Sequence, residues 1–267
     1  MWIDTHCHLD AHEFGAEACA LAKSAGGQGV AMIVIPAVER GNFATVAALA
    51  AQVDNASYAL GIHPIYVPQA SEDDLLALRD AVAAAMSDQR FVAIGEIGLD
   101  FFIPLLNEPA MRAKQEHFLR EQLKIARDFG LPVLLHVRRS QDVVYKHLRQ
   151  IRPAGGIAHA FNGSFRQAQG YIDLGFKLGF GGAMTFTRAL QIRRLAAELP
   201  LTAIVLETDA PDIAPSWIHP GRNSPEQLPR IGKVLAELRG IGVDEAAVVT
   251  SANAHAALPR LAAVLPG

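Results

Sequence analysis

Residues 2–10 combine a short apolar stretch with two histidines, His6 and His8, that are separated by one residue. Successive side chains of a β-strand alternate between its two faces, so a strand over these residues would place both imidazoles on one face. Two imidazoles side by side at the carboxyl end of a strand could supply half of a metal site. Cys7 lies between them and would point to the opposite face, so we exclude it as a ligand.

Candidate metal ligands also follow other apolar runs of the chain. Six of the eight strands that we predict end in a residue able to bind a metal: His6 with His8, His63, Glu96, His136, His159 and Asp209. One such residue alone is weak evidence, because polar residues at strand ends commonly serve in loops or helix caps. Their joint occurrence predicts a metal site, because burying this many ionisable groups together is costly unless cations neutralise them. We expect the other histidines on helices or in loops: His12, His117, His147, His219 and His255.

The elements that must position these residues alternate along the chain. Predicted strands cover residues 2–10, 30–36, 58–64, 91–96, 132–136, 156–159, 176–179 and 203–209. Predicted helices cover residues 11–25, 42–52, 71–86, 111–129, 141–151, 165–174, 190–199, 226–238 and 245–258. Strict alternation of strand and helix implies a parallel sheet with right-handed crossovers.

Eight such units in 267 residues favour an α/β fold of the (β/α)₈ TIM-barrel type, as a single domain over residues 1–267. No glycine-rich G-x-G-x-x-G motif follows the first strand, which argues against a dinucleotide-binding sheet. In a barrel, the carboxyl ends of all strands meet on the face that carries the active site. The candidate ligands, although far apart in sequence, would therefore converge on one pocket.

Charge and composition narrow the class of function. The formal net charge is −3 and no block of lysine or arginine stands out, which argues against passive nucleic-acid binding by a basic face. A phosphate substrate is compatible with this charge, because metal ions could neutralise it. The polar N-terminus is no signal peptide, and no apolar run reaches the ~18 residues of a membrane span. With Cys7 and Cys19 expected as free thiols, we expect a cytoplasmic monomer without membrane contacts.

The types of the candidate ligands indicate which metals could bind. Imidazoles and carboxylates without thiolates suit Zn²⁺, Mn²⁺, Fe²⁺ or Ni²⁺, and a larger share of carboxylates favours Mg²⁺. Five or six ligands exceed the four that one tetrahedral ion uses. Two divalent ions ~3.5–4 Å apart with a bridging carboxylate fit the count better, and we predict such a pair of Mg²⁺, Mn²⁺ or Zn²⁺ ions.

Six motifs contain the candidate ligands: Asp4-Thr5-His6-Cys7-His8, Gly61-Ile62-His63-Pro64, Gly95-Glu96-Ile97-Gly98-Leu99-Asp100, Leu135-His136-Val137-Arg138, His159-Ala160-Phe161 and Glu207-Thr208-Asp209-Ala210-Pro211. In this order they resemble the TatD family of metal-dependent deoxyribonucleases, within the amidohydrolase-like superfamily. The resemblance continues through Arg222-Asn223-x-Pro225 to Asn253, so it covers nearly the whole chain. The chain departs from the family pattern at Phe101 and Phe102, where a tyrosine is expected.

The resemblance implies a role for each candidate residue. His6, His8 and Asp209 would bind one ion, His136 and His159 the second, and Glu96 would bridge both. His63 would lie near the substrate or an additional ion. Asp209 would also act as general base on the attacking water, and Asp209 and the bridging Glu96 are our candidate catalytic residues. Arg138 is our candidate phosphate contact and Arg222 a weaker one, whereas Glu207 would orient a ligand or add one.

Three functions remain open at this point. The first is a two-metal phosphodiesterase that cleaves DNA, as a 3′–5′ exonuclease acting on single strands or 3′ ends. The second is a hydrolase of the same barrel that acts on a small amide, lactone or phosphoester. The third is a non-catalytic metal-binding barrel that serves as an interaction protein, against which the complete ligand set argues.

Overall fold

Eight parallel strands form one sheet in the order of the chain, with helices between them. The computed structural model describes residues 1–263, so residues 264–267 of the predicted single domain lie outside the described part. The strands are β1 (Trp2–Asp4), β2 (Val30–Pro36), β3 (Ala56–Leu60), β4 (Phe91–Asp100), β5 (Val133–Arg138), β6 (Gly156–Ala158), β7 (Phe176–Phe180) and β8 (Ile204–Leu206). The predicted (β/α)₈ TIM barrel is confirmed.

The helices pack outside the strands. They are α1 (Ala18–Gly27), α2 (Phe43–Gln52), α3 (Glu72–Ala85), α4 (Pro109–Asp128), α5 (Gln141–Ile151), α6 (Phe165–Asp173), α7 (Leu190–Glu198), α8 (Leu228–Arg239) and α9 (Val243–Ala257). The helix predicted from residue 11 begins only at Ala18, because Gly15 has φ 47°, which a right-handed helix does not allow. His12 therefore lies in a turn rather than on a helix. Within residues 1–263, no helix is both long and apolar enough to cross a bilayer.

The core consists of two apolar layers. Residues of one face of the strands, such as Met32, Val34 and Val92, fill the barrel interior together with Leu258 and Leu261 from the end of the chain. Arg260 donates hydrogen bonds to the carbonyl groups of Met86, Asp88 and Phe91, so this segment closes the amino end of the barrel. The second layer lies between strands and helices and includes Cys7. The continuous apolar runs of the sequence are those of strands buried on both faces.

The first and last strands approach each other just beyond their ends. Thr5 N–H donates to Leu206 O at 3.1 Å, and Asp209 N–H donates to His6 O at 2.8 Å. Both strands are shorter than predicted, because β1 ends at Asp4 and β8 ends at Leu206. Asp209 has φ 57°, which no strand residue adopts, and the Asp4 side chain accepts a hydrogen bond from His6 N–H at 3.3 Å. The barrel therefore closes with turns that carry His6 and Asp209 directly above the strand ends.

Candidate metal centre

The candidate ligands come together at the carboxyl end of the barrel, as the sequence predicts. Their positions in the fold are directly after β1 for His6 and His8, after β3 for His63, within β4 for Glu96, within β5 for His136, after β6 for His159 and after β8 for Asp209. His6 and His8 share a face although they lie beyond the end of β1, and their Nε2 atoms are 3.3 Å apart. Three groups of these residues bring their ligand atoms within 4.8 Å of one another: His6, His8 and Asp209; His6, Glu96 and His159; and His63, Glu96 and His136.

Glu96 lies at the middle of the cluster and faces a different group with each oxygen. Its Oε2 is 3.1 Å from His6 Nε2 and 3.3 Å from His8 Nε2. Asp209 Oδ1 completes this group at 3.6 and 3.7 Å from the same two nitrogens. One carboxylate oxygen therefore belongs to the ligand group that the first and last strands supply.

The second oxygen of Glu96 faces three imidazoles. Glu96 Oε1 is 2.8 Å from His159 Nε2, 2.9 Å from His136 Nδ1 and 3.3 Å from His63 Nε2. The predicted pair of His136 and His159 is thus joined by His63, whose Nε2 lies 3.0 Å from His136 Nδ1. The two oxygens of one buried carboxylate divide the cluster into two sets of nitrogen and oxygen donors.

The chemistry of these donors fits divalent cations. Imidazole nitrogens and carboxylate oxygens are ligands for Zn²⁺ and Mn²⁺, and the carboxylates also suit Mg²⁺. The Nε2 atoms of His6 and His8 face each other at 3.3 Å beside a carboxylate, in a region that is fully or largely buried. Cations would compensate the desolvation of these groups. Cys7 is buried in the layer between strands and helices, consistent with its exclusion as a ligand.

Burial and mutual charge give the histidines opposite pKa shifts. Burial, reinforced by the charge of His159, lowers the pKa of His6 to about 3, and burial lowers the pKa of His63 to about 4. Burial also acts to lower the pKa of His8, but its hydrogen bond to Glu96 and the nearby carboxylate charges raise it to about 9. For His159, the charges of Glu96 and Asp209 outweigh burial and raise the pKa to about 10. The histidines therefore share the charge of the cluster unevenly.

The acids of the centre also differ in their pKa values. Burial alone would raise the pKa of Glu96, but the surrounding histidines hold it well below its ordinary value. Burial raises the pKa of Asp209, although His159 and His8 oppose the shift. A carboxylate with a raised pKa is a stronger proton acceptor. The two acids predicted to be catalytic are thus suited to different tasks: Glu96 stays charged, and Asp209 is the better base.

Asp100 supports His136 and was missed by our reading of the sequence. Its Oδ2 lies 3.2 Å from His136 Nε2, on the opposite side of the ring from Glu96. Its Oδ1 accepts hydrogen bonds from the N–H groups of Phe102 at 2.8 Å and Ile103 at 3.1 Å. A signal was present, because Asp100 lies four residues after Glu96 in β4 and even spacing places two strand residues on the same face.

Glu207 supports the turn that carries His159. It is buried, its Oε1 accepts a hydrogen bond from Ala160 N–H, and the same oxygen lies 3.9 Å from His159 Nδ1. Gly179 makes this possible, because a Cβ there would lie 2.0 Å from Glu207 Oε2. Burial raises the pKa of Glu207 to about 8. Of the two roles that the sequence left open, the contacts favour orientation of His159.

The two arginines predicted to contact substrate lie in different places. Arg138 lines a cavity of about 1190 Å³ that opens above Glu96, and about half of its side chain is exposed. Arg222 lines an adjoining cavity instead, where its guanidinium donates to Glu13 O and to Glu17 Oε2 at 2.8 Å. His219 lines this adjoining cavity as well. The Arg222 guanidinium is thus already hydrogen-bonded to Glu13 and Glu17, near the beginning of the chain.

Comparison with known proteins identifies the family. The sequence model of the family described as TatD related DNase matches residues 3–259. The chain belongs to the TatD family. Among TatD relatives, it is similar to the uncharacterized metal-dependent hydrolase YjjV of Escherichia coli K12, with 40% identity over 255 residues, 95% of this chain and 96% of the relative. The crystal structure of YjjV, a TatD homologue, superimposes with a TM-score of 0.90 and 38% identity, covering 97% of this chain and 98% of the other.

A human TatD relative carries a more specific name. Deoxyribonuclease TATDN3 of Homo sapiens is 29% identical over 264 residues, which are 97% of this chain and 95% of the relative. The resemblance inferred from the sequence motifs is thereby confirmed. So is the predicted enzyme class, a metal-dependent hydrolase of the TatD family that acts on ester bonds.

Proposed function

We propose that this TatD protein is a two-metal phosphodiesterase that hydrolyses DNA, as a 3′–5′ exonuclease on single strands or 3′ ends. The observation that carries the proposal is the division of the ligands between the two oxygens of Glu96. A carboxylate shared in this way is what a pair of ions ~3.5–4 Å apart requires. The residues that would hold the ions are His6, His8 and Asp209 on one side and His136, His159 and His63 on the other, with Glu96 between them.

The chain's own residues supply the remaining parts of the mechanism. Two bound divalent cations would lower the pKa of water and stabilise negative charge on the phosphoryl oxygens. Asp209 accepts the proton of the attacking water, since its Oδ1 faces the ligand nitrogens and burial raises its pKa. Arg138 contacts the phosphate, since its guanidinium lines the cavity and the nearest acid, Asp100, lies 3.7 Å away.

The shape of the cavity favours the end of a single strand as substrate. Glu96 is 1% exposed and lies at the base of a cavity of about 1190 Å³, enough room for a nucleotide. A duplex would have to bring a phosphate to a buried carboxylate, whereas a strand end can enter the cavity. The name of the human relative, a deoxyribonuclease, supports DNA as substrate. Cys7 and Cys19 form no disulfide, consistent with our proposal of a cytoplasmic protein, which we expect to be monomeric.

Hydrolysis of labelled oligonucleotides tests this function. We would strip the protein with a chelator, restore Mg²⁺, Mn²⁺ or Zn²⁺ in separate samples, and compare single-stranded DNA labelled at either end with small esters, lactams and phosphomonoesters. We expect mononucleotides to be released from the 3′ end, and two ions per chain in metal analysis. Internal cleavage would contradict the exonuclease mode. Turnover of the small esters or lactams without any release of nucleotides would favour the second function that the sequence left open.

A further inference from the structure

Phe186 and Phe102 are partly exposed aromatic side chains in the linings of the two cavities, and their charged neighbours differ. Phe186 lies in the adjoining cavity of about 650 Å³, with its ring 5.5 Å from that of His219 and 5.7 Å from the guanidinium carbon of Arg188. Glu13 and Asp212 line this cavity and also the main one. A strand of nucleic acid carries one negative charge per phosphate, so these carboxylates oppose the attraction of Arg188 for its backbone.

The second aromatic side chain, Phe102, lines the main cavity beside two positive charges. The guanidinium carbon of Arg138 is 3.8 Å from the centroid of the Phe102 ring, and that of Arg139 is 4.6 Å from it. We call these three residues the Phe102 platform. Phe102 is 44% exposed, unusually so for a phenylalanine, and all three side chains line the main cavity. An exposed aromatic ring beside two arginines combines a stacking surface with donors for phosphate.

The platform is attached rigidly to the metal centre. Asp100 binds the N–H group of Phe102 through one oxygen and faces His136 Nε2 at 3.2 Å through the other. Phe101 N–H donates to Arg138 O at 2.9 Å, which fixes the loop against β5. Arg139 has φ 54°, a conformation that costs a residue with a side chain about 1 kcal/mol or more. A chain of direct contacts therefore connects the platform to a candidate metal ligand.

We propose that the Phe102 platform binds one nucleobase of the strand that is retained after cleavage, next to the scissile phosphate. The base takes the place of a guanidinium group on the Phe102 ring, and Arg139 binds the adjoining phosphate. The end nucleotide occupies the buried part of the cavity, so the base at the mouth belongs to the retained strand. The inference rests on the proposed function, since it assigns a position to the same DNA substrate. Stacking accepts every base, so the platform binds single strands without sequence preference.

Binding without metal tests the platform separately from catalysis. We would measure fluorescence anisotropy of a labelled single-stranded DNA of roughly ten nucleotides in EDTA, and of a strand of equal length in which abasic sites replace the nucleotides. The native protein is expected to prefer the strand with bases. Phe102→Ala should weaken its binding about 5- to 150-fold and remove that preference, whereas Phe102→Trp should keep both. Arg139→Gln should weaken binding of the two strands equally.

Two control variants make the assignment specific. Leu105→Ala removes an exposed apolar side chain, 62% exposed, from the same loop but outside the cavity lining, and should leave binding unchanged. Phe186→Ala removes the aromatic side chain of the other corner and should also leave it unchanged. If Phe186→Ala abolished the preference for the strand with bases and Phe102→Ala did not, our assignment of the base-binding site to Phe102 would be wrong. Circular dichroism and a urea titration of each variant would show that it is folded.

The outcomes for the platform and for the proposed function are distinguishable. Equal affinity of the native protein for both strands, or an unchanged preference in Phe102→Ala, overturns the platform whatever the enzyme hydrolyses. Binding that depends on Phe102, without hydrolysis of any DNA in the metal-restored protein, overturns the proposed nuclease and leaves a nucleic-acid binding surface. Where both hold, Phe102→Ala should lose more activity on the oligonucleotide than on bis(p-nitrophenyl) phosphate, a diester without a nucleobase.

Discussion

Asp4 and Thr208 are 204 positions apart in sequence and are joined by two hydrogen bonds. The Thr208 hydroxyl donates to Asp4 Oδ2 at 2.6 Å, and its N–H donates to Asp4 Oδ1 at 2.9 Å. Both residues are buried, and each lies within two positions of a candidate ligand, His6 or Asp209. This pair holds together the segments after β1 and β8 that carry His6, His8 and Asp209.

Removing the Thr208 hydroxyl should therefore affect both stability and metal binding. Thr208→Val keeps the shape of the side chain but leaves Asp4 Oδ2 without its donor, which we expect to lower the free energy of unfolding by about 1–3 kcal/mol. The matched control is Thr250→Val in α9, where the hydroxyl donates only to Ala246 O of its own helix. Urea titrations with and without metal provide the measurement. Equal effects of the two substitutions on stability and metal binding would contradict a special role for the Asp4–Thr208 pair.

Asp100→Asn tests whether this acid supports His136. The substitution keeps the size of the side chain but removes the charge that faces His136 Nε2 at 3.2 Å. Loss of a carboxylate behind a ligating histidine typically costs 10–100-fold in metal affinity or activity. We expect the affinity for one of the two ions to fall by about this factor. The control is Glu116→Gln, which alters a similar pair, Glu116 with His147 at 3.0 Å, on α4 and α5. Metal content per chain should fall in the first variant and stay at the native value in the second.

Much of this centre could be predicted from the sequence because the ligands follow apolar runs. Each run forms a strand, and a parallel barrel brings the ends of its strands to one face, so the positions of Glu96 and His136 follow from topology alone. The position of Asp100 could also have been predicted, because its even spacing from Glu96 places both side chains on the same face of β4. The assignment of each residue to a metal or to the substrate stays a prediction, since the convergence of the side chains does not reveal what they bind.

Other features depend on contacts that no local pattern reveals. The turn after β1 follows from the Asp4 carboxylate, whose main donors come from Thr208 at the other end of the chain. The long side chain of Arg222 can reach many acceptors, and its pairing with Glu13 O and Glu17 depends on how the first turn packs against the last loop. The backbone of Asp209, with φ 57°, likewise makes its hydrogen bond to His6 O at the other end of the chain.

The positions of the two arginines predict different effects on substrate binding. Arg138→Gln should weaken binding of single-stranded DNA and reduce the dependence of log Kd on log salt by about 0.7, the value for one lost phosphate contact. Arg222→Gln should change this salt dependence much less, because the guanidinium is bound to Glu13 O and Glu17 outside the main cavity. Anisotropy titrations at several salt concentrations measure both. A larger change in slope for Arg222→Gln would reverse our assignment.

Gly98 lets β4 and β5 approach each other beside His136. It has φ 155°, and a Cβ at this position would lie 1.9 Å from His136 O, a backbone atom that cannot move aside without shifting β5. Gly98→Ala should therefore lower the free energy of unfolding by about 3 kcal/mol and displace His136 from Glu96. Gly27→Ala is the control, because a Cβ there meets nothing within 4 Å, and we expect a change within about 1 kcal/mol. A Gly98→Ala protein with native stability and metal content would contradict the steric argument.

Metal binding should release protons, because two of the histidines hold them in the metal-free protein. The raised pKa values of His8, about 9, and His159, about 10, keep these two imidazoles charged at pH 7. The pKa of His136 is raised as well, by its contacts with Asp100 and Glu96. His6 and His63, with pKa values of about 3 and 4, are neutral there and release none. A cation binds only the neutral imidazole, so its affinity should rise with pH until His8 and His159 have lost their protons, near pH 9 to 10.

Calorimetry measures this release directly. Zn²⁺ titrations at pH 7 in two buffers with different ionisation enthalpies should give different apparent heats, because the buffer takes up the displaced protons. The difference should shrink as the pH approaches 9, since His8 then carries less of its proton before the metal arrives. Equal heats in both buffers, or an affinity that falls as the pH rises from 6 to 8, would show that Glu96 does not hold charged imidazoles in the metal-free centre. In that case the uneven sharing of charge among the histidines would be wrong, even if both ions bind.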